Sequence, residues 1–170
     1  MTKLRTEWDL VKCAYTAYAP IAGFDGEWHF LSNFYASPII YEGILYPTVE
    51  HAFQAAKTLN MKVRKQISLL ATPGQAKAAG RAVKLRPDWE DIKIDIMREL
   101  IILKFKIPAL RKYLLLTKGI TLIEANTWGD KFWGTNMRGI GRNELGKLLW
   151  EHCDQLQRER FIKRLSKRAA

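Results

Sequence analysis

Cysteine is scarce: Cys13 and Cys153 are the two in 170 residues, and neither stands in a Cys-x-x-Cys or Cys/His cluster. A disulfide scaffold or a zinc site is therefore not what organises this chain. A reducing cytosol is the expected compartment, and each cysteine reads as a small apolar filler. Long apolar runs are also missing. No stretch approaches the roughly 20 residues that span a bilayer, and Met1–Trp8 lacks the apolar core of a secretory signal. The expectation is a cytoplasmic protein with no membrane partner. Histidine is limited to His29, His51 and His152, which leaves Ser-His-Asp or Cys-His catalysis poorly supplied. His29 reads as a strand residue, His51 as an early helix residue, and His152 as part of a mostly apolar face. Acidic residues are outnumbered 28 to 17 by Lys and Arg, giving a net charge of +11. That balance favours phosphorylated metabolites, acidic surfaces or nucleic acid as partners. Part of it is local. The run Arg158–Arg168 reads as a basic helix end where cations suit the helix dipole, with a nucleic-acid footprint as the alternative.

What is present is a core. A hydrophobic fraction of 48% and six Trp argue for a globular chain, and 170 residues can bury a core without staples. No repeat, low-complexity linker or break in composition divides the chain, so one domain over residues 1–170 is expected. Residues 1–20 show partial helical spacing through Trp8, Leu10, Val11, Ala14 and Tyr15, ended by Pro20. Glu27–Leu31 is aromatic-rich and β-like. Pro38–Tyr41 and Ile44–Tyr46 flank Glu42-Gly43, a two-residue hairpin signal. Thr48 is a credible N-cap for a helix that runs on to Leu59. Val63, Ile67 and Leu70 line a second helix, and Thr72-Pro73 reads as the N-cap and first residue of a third. Asp88 is expected to cap a long helix from Trp89 to about Lys106, with Ile92, Ile96, Leu100, Leu103 and Phe105 inward. Pro108 starts another helix, closed by Lys118-Gly119. Thr121–Ala125 suits a short strand, and a Gly- and Trp-rich loop covers Asn126–Gly141. A last helix opens at Arg142-Asn143, with Leu145, Leu148, Leu149, His152, Leu156 and Phe161 on one face. The fold class is α+β and mainly α-helical, with a small antiparallel β element near the N-terminal third.

Three loops mix Gly, aromatic residues and charge: Ser32–Phe34, the turn from Gly80-Arg81 to Trp89, and Asn126–Asn136. On the helix after Thr48, Glu50, Gln54 and Lys57 fall within a narrow arc at about 100° per residue. Val49, Ala52, Phe53, Ala56 and Leu59 spread over the other side. A first-turn Glu followed by Lys is also what an ordinary solvated helix shows. Asp130 stands between Trp128 and Trp133 in the third loop. Two carboxylates with aromatic surface are the usual apparatus for cleaving a glycosidic bond, although composition alone does not bring Glu50 and Asp130 together. Gly139–Asn143 runs into a helix start that could receive an anion on free N–H groups. It lacks the spacing of a dinucleotide fingerprint.

Phe30–Phe34, Tyr46–Lys57, Ala79–Arg81, Arg86–Trp89, Met97-Arg98 with Lys104-Phe105, Asp130–Gly134 and Gly141–Gly146 form a series in fixed order. This series resembles the NADAR family over roughly residues 24–157, leaving 158–170 as a basic helix end outside it. The family includes bacterial N-glycosidases acting on early riboflavin-pathway intermediates, and members that remove ADP-ribose from guanine bases of nucleic acid. The resemblance implies an N-glycosidase with catalytic Glu50, Lys57 and Asp130, Lys57 being a candidate for a Schiff base with the opened sugar. It implies substrate-binding residues at Asn33, Phe34, His51, Gln54, Arg81, Trp89, Trp133, Gly134 and Asn143. Arg81, Lys131, Arg142 and the N–H groups after Gly141 are candidates for holding phosphate. No metal and no cofactor are expected. The partner implied is a phosphorylated N-riboside or an ADP-ribosyl small molecule, with nucleic acid a second substrate class and a non-catalytic ADP-ribose or nucleic-acid binder the rival. Val49 departs from the family pattern, where Ser is common, and the loop Gly134–Gly141 is variable.

Overall fold

A computed structural model describes residues 19–169, the side chain of Ala169 excepted. Cys13 and the helical spacing of Trp8–Tyr15 lie outside the described residues. The fold is α+β and mainly α-helical, with two compact units. One spans Ser32–Ile107. The other joins Met1–Leu31 to Pro108–Ala170.

The Ser32–Ile107 unit begins with a hairpin. Strands β1 (Ile39–Tyr41) and β2 (Ile44–Tyr46) pair antiparallel with Ile39 opposite Tyr46 and Tyr41 opposite Ile44. Both turn residues take positive φ, Glu42 at 46° and Gly43 at 75°, the conformation that matches strand twist. Ile39, Tyr41 and Tyr46 point inward while Ile40 and Leu45 are exposed, the alternation expected of a one-sided ribbon. Helix α1 (Val49–Ala56) follows at once, with the Thr48 hydroxyl accepting from the His51 N–H. Every residue of α1 is buried. Such a short helix is marginal alone and depends on what covers it: α2 (Met61–Ser68), α3 (Pro73–Ala82) and α4 (Trp89–Phe105) all pack on it.

Several side chains fix these contacts. The His51 imidazole has both nitrogens engaged, Nδ1 2.8 Å from Thr48 Oγ1 and Nε2 3.1 Å from Leu70 O. The carbonyl can only accept, so Nε2 carries the proton and Nδ1 accepts from the hydroxyl. Burial pushes the imidazole below its ordinary pKa, against the opposing hydrogen bond to Leu70. Arg64 is buried, with Nε donating to Thr58 O at 2.6 Å and Nη1 paired to Glu42, which ties α2 to the hairpin turn. Thr72 forms a full capping box with Gln75, and Pro73 occupies the first turn as its spacing foretold.

Four readings of this unit need correction. Helix α1 ends at Ala56, because the Lys57 and Thr58 N–H groups bond back to Gln54 O and Ala55 O in a tightened last turn; Leu59 is 61% exposed and packs nothing. Asp88 precedes α4 but makes no side-chain cap bond, since both its oxygens are taken by Arg86 at 2.7 and 3.0 Å. The buried face of α4 is Trp89, Ile96, Met97, Leu100, Ile101, Lys104 and Phe105, with Ile92 and Leu103 half-buried. Lys104 is inside because its amine donates to Ser32 O at 2.7 Å and stands 5.8 Å from the Tyr35 and 5.3 Å from the Phe105 ring centroid.

In the other unit, Glu27–Leu31 is not a strand. Gly26–Leu31 is a 3₁₀ turn, started by Gly26 at φ 49° and the Trp28 N–H bonding Asp25 O at 2.8 Å. Local closure overrides the aromatic preference for strands; His29 lies in this turn. Leu122–Ile123 is a strand, as its composition suggests, and pairs in parallel with Ile21–Ala22, which the sequence did not signal. Numbered with the hairpin these are β4 and β3. Helices α5 (Pro108–Leu116) and α6 (Glu144–Ala169) complete the unit. Leu145, Leu148, Leu149, His152, Cys153 and Leu156 of α6 are buried. The Cys153 thiol donates to Leu114 O at 3.2 Å, and burial raises its pKa, the behaviour of a filler rather than a nucleophile. Phe161 is 63% exposed, because the buried face of α6 stops at Leu156.

The approach of α3 to α1 yields a stability prediction. A Cβ on Gly80 would stand 1.9 Å from Gln54 Oε1 and 2.7 Å from Gln54 Cβ. Alanine is the better helix former by about 1 kcal/mol, so any loss isolates the clash. Gly80→Ala is expected to destabilise the protein by about 1–3 kcal/mol in denaturant unfolding. An unchanged or raised midpoint would mean that α3 does not seat on Gln54.

Candidate active site

The Ser32–Ile107 unit gathers most of the residues singled out from sequence. Glu50 is 6% exposed although it carries a carboxylate. Its backbone N–H is accepted by Asn33 O at 3.0 Å, and its Oε1 receives the Gln54 amide at 2.8 Å. A carboxylate can only accept from that amide, which fixes the Gln54 orientation and leaves Oε1 of Gln54 against Gly80. Gln54 therefore supports Glu50 with one end and packs with the other. Asn33 is held by its Nδ2 donating to Met97 Sδ at 3.5 Å. Lys104, through Ser32 O, pins the same loop onto α4.

Lys57 lies two helical turns from Glu50, about 10 Å along the axis at 1.5 Å per residue. It is half-buried at the C-cap of α1. Its carbonyl accepts from Arg86 N at 2.8 Å, so the Arg-Pro turn braces it. Its Nζ stands 5.9 Å from the centroid of the Phe53 ring and 5.9 Å from that of Trp89, which themselves pack tilted at 5.1 Å. Burial lowers the pKa of the amine. Glu50 opposes that shift, while Arg81 and Lys77 reinforce it. The result is an amine beside a packed pair of aromatic rings, with a carboxylate up the helix and two cations on α3 within electrostatic reach. Phe34, at the rim, has Lys77 Nζ 5.8 Å from its ring centroid. Lys77 had no role in the sequence reading. Its place four residues before Arg81, on one helical face, was the signal that could have found it. The role of Lys104 was also missed, since nothing in its neighbours marks a buried amine.

The second loop group, in the other unit, is built differently. Asn126 closes a loop on Asp130, its Nδ2 donating to Asp130 O at 2.8 Å and its Oδ1 accepting from Asp130 N at 3.0 Å. Asp130 Oδ1 then accepts from the N–H groups of Phe132 and Trp133 at 3.0 and 2.9 Å. Gly134 has no room for a side chain, because a Cβ would meet Glu124 O at 2.1 Å. The Asn143 amide is fully engaged, accepting from Glu124 N at 2.9 Å and donating to Leu122 O at 2.8 Å. Trp133 packs edge-on to Phe132 with centroids 5.0 Å apart.

The helix-start anion site expected after Gly141 is corrected. The N–H groups of Asn143, Glu144 and Leu145 bond the carbonyls of Gly134, Phe132 and Trp133 at 3.0 to 3.2 Å. Loop carbonyls thus fill the place an anion would take. Arg142 is drawn to Glu144 and lies 4.5 Å from the Phe132 ring centroid. Among the described residues, no group of three or more His, Cys, Asp or Glu could hold a metal ion.

Comparison with known proteins adds to this geometry. The NADAR domain model matches residues 23–157. N-glycosidase YbiA of Escherichia coli is 42% identical over 132 residues, covering 76% of this chain and 82% of that protein. The NMR structure of the E. coli protein YbiA matches with a TM-score of 0.75 and 38% identity, over 84% of this chain and 88% of that one. A riboflavin biosynthesis protein of Vibrio vulnificus is 33% identical over 75% of this chain, which spans 35% of that longer protein.

The surroundings of Lys57 predict the sign of each neighbour's effect. With the lysines carbon-13 methylated and followed by NMR, Lys57 is expected to titrate below the ordinary 10.5. Arg81→Gln and Lys77→Gln remove repulsion and should raise that midpoint; Glu50→Gln removes attraction and should lower it further. A Lys57 that titrates with the surface lysines, unmoved by these changes, would refute the desolvated amine.

Proposed function

The chain belongs to the NADAR family, and from that premise we propose that it is an N-glycosidase hydrolysing the C1–N bond of phosphorylated N-ribosides. Phosphoribosylamino-pyrimidine intermediates of riboflavin biosynthesis are the substrate class proposed. The observation that carries the reading is the half-buried Lys57 amine standing 5.9 Å from both the Phe53 and the Trp89 ring centroids, at the C-cap of the helix that carries the buried Glu50 carboxylate. An amine whose charged form is disfavoured is present as a nucleophile at neutral pH to a greater extent than a solvated lysine.

The proposed chemistry follows from those two groups. A ribosylamine opens to an imine at C1. The neutral Lys57 amine adds to C1, the bond from C1 to the base nitrogen breaks, and the base leaves as its free amine after taking a proton. Water then adds to the lysine imine, releasing the sugar phosphate as an aldehyde and restoring Lys57. Glu50 carries the protons that these additions and departures require, and its charge favours the cationic imine. Trp89 packs against sugar or base. Arg81 and Lys77 hold phosphate, the role that suits two cations four residues apart on α3 and within electrostatic reach of the Lys57 amine. Gln54 and His51 act through the helix, the first by orienting Glu50 and the second by clamping its N-terminus. Asp130 enters on its Asp-x-x-Trp-Gly motif as a positioning or protonating carboxylate; Oδ1 serves the loop, and Oδ2 is the oxygen assigned that work. Trp133, Gly134 and Asn143 enter as the shape of that same loop.

A second reading keeps the chemistry and changes the leaving group: removal of ADP-ribose from guanine in nucleic acid. The net charge of +11 favours it, because affinity for a polymer backbone needs cations.

One assay tests both. The protein is incubated separately with a phosphoribosylamino-pyrimidine and with an ADP-ribosylated guanine oligonucleotide, and release of sugar phosphate or ADP-ribose is followed. Glu50→Gln and Lys57→Ala are expected to lower turnover by about two to four orders of magnitude. Borohydride added during turnover should leave the sugar attached to the wild-type chain and not to Lys57→Ala. Salt should depress activity steeply on the oligonucleotide and little on the metabolite. Retention of turnover within about threefold in both variants would sink the mechanism.

A further inference from the structure

We propose that the last turns of α6, from Arg158 to Ala169, dock on an anionic lipid surface. The family match ends at residue 157, so this segment is an addition to the module rather than part of it. Helix α6 nevertheless runs unbroken to Ala169. Three large apolar side chains stand in water along it: Phe161 63% exposed, Ile162 64% and Leu165 49%. At about 100° per residue they fill one stripe about 100° wide. Arg160, Lys163 and Lys167 fall on the opposite side, Arg164 and Arg168 flank the stripe, and Arg158 stands in line with it about one turn earlier. The one acid of the segment, Glu159, faces Arg111 at 3.6 Å and accepts from Gln155 at 3.2 Å. Arg158 is paired to Asp154 at 2.7 Å. The five remaining cations have no acidic partner among the described residues.

A solvated helix end explains the cations and leaves the stripe unexplained. Nucleic acid would take the cations and likewise leave Phe161, Ile162 and Leu165 in water. A second copy of the tail would bring five cations against five. An anionic bilayer surface accommodates both faces: the stripe enters the boundary between headgroups and acyl chains, and the long Arg and Lys side chains reach up to the phosphates. Among the described residues no helix is long and apolar enough to cross a membrane. A helix lying in the plane of the surface has no such length requirement, so the sequence expectation of no membrane partner is revised only in this respect.

The test is flotation of the full chain with vesicles of phosphatidylglycerol in phosphatidylcholine, against vesicles of phosphatidylcholine alone. Binding is expected to the first and not the second. Phe161→Ser combined with Leu165→Ser should lower the partition coefficient about tenfold or more. Arg164→Gln and Lys167→Gln should each lower it about fivefold. All these positions are exposed and outside the proposed active site, so circular dichroism melts and turnover on soluble substrate should match wild type. Failure to bind anionic vesicles, or binding indifferent to Phe161 and Leu165, overturns the proposal. So does tail-dependent capture of an oligonucleotide that outcompetes the vesicles, which would assign the segment to nucleic acid.

Discussion

Burial of α1 on every side is the constraint from which the Ser32–Ile107 unit follows. Eight residues make little helix on their own, so Val49–Ala56 exists because the hairpin, α2, α3 and α4 enclose it. Enclosure suits Val49, Ala52, Phe53, Ala55 and Ala56. It is expensive for Glu50, His51 and Gln54, each of which needs hydrogen-bond partners in place of water. The structure supplies most of these: Asn33 O for the Glu50 backbone, Gln54 Nε2 for its carboxylate, Thr48 and Leu70 O for the imidazole, while Gln54 Oε1, against Gly80, is buried without a hydrogen-bond partner. Gly80 has no side chain because α3 must come close enough to press on Gln54. Packing and polar satisfaction are thus one arrangement, and loosening any neighbour would strand a buried polar group.

The same enclosure sets the electrostatics at the open end of α1. Lys57 is the first residue past the helix, and its amine stands 5.9 Å from the Phe53 and Trp89 ring centroids. Partial desolvation disfavours the ammonium, and two further cations on α3 push in the same direction. A site evolved for stability would have placed an acid there. From His51 to Pro87 there is no Asp or Glu at all, while Lys57, Lys77 and Arg81 share one region. Such a cluster of cations attracts anions, which is the physical basis for proposing a phosphorylated ligand.

The hairpin and its turn, the Thr48 and Thr72 caps and the strand at Leu122–Ile123 were legible because each rests on local chemistry. The row Glu50, Gln54, Lys57 was legible as a geometric pattern but not as a site, since a solvated helix carries the same pattern; the ordered motifs around it tipped the reading. Three failures have a common cause. Asp88 looked like a cap, Gly141–Leu145 looked like an anion site, and Glu27–Leu31 looked like a strand. In each, a partner that sequence spacing does not reveal took the group first: Arg86, the carbonyls of Phe132–Gly134, and the turn at Asp25. Lys104 shows the reverse case. Its amine reads as surface charge until the carbonyl of Ser32, 72 residues away, is seen to receive it.

The division of labour among the cations decides how the proposed chemistry gains its rate. Arg64 and Arg86 are tied to Glu42 and Asp88 and act as braces, so they contribute no free charge to a ligand. Lys77 and Arg81 remain on one face of α3, beside the amine they perturb. A phosphate bound by that pair would draw the ligand towards Lys57 and at the same time offset the repulsion that keeps the amine neutral. Binding and nucleophile activation therefore pull against each other: neutralisation of Lys77 and Arg81 by phosphate would remove their share of the shift. Desolvation is the largest contribution to the lowered pKa and does not vanish when phosphate arrives. In the proposed mechanism, burial beside Phe53 and Trp89 is then what keeps the amine nucleophilic in the complex, and the cations would serve chiefly to hold the sugar phosphate where C1 meets it.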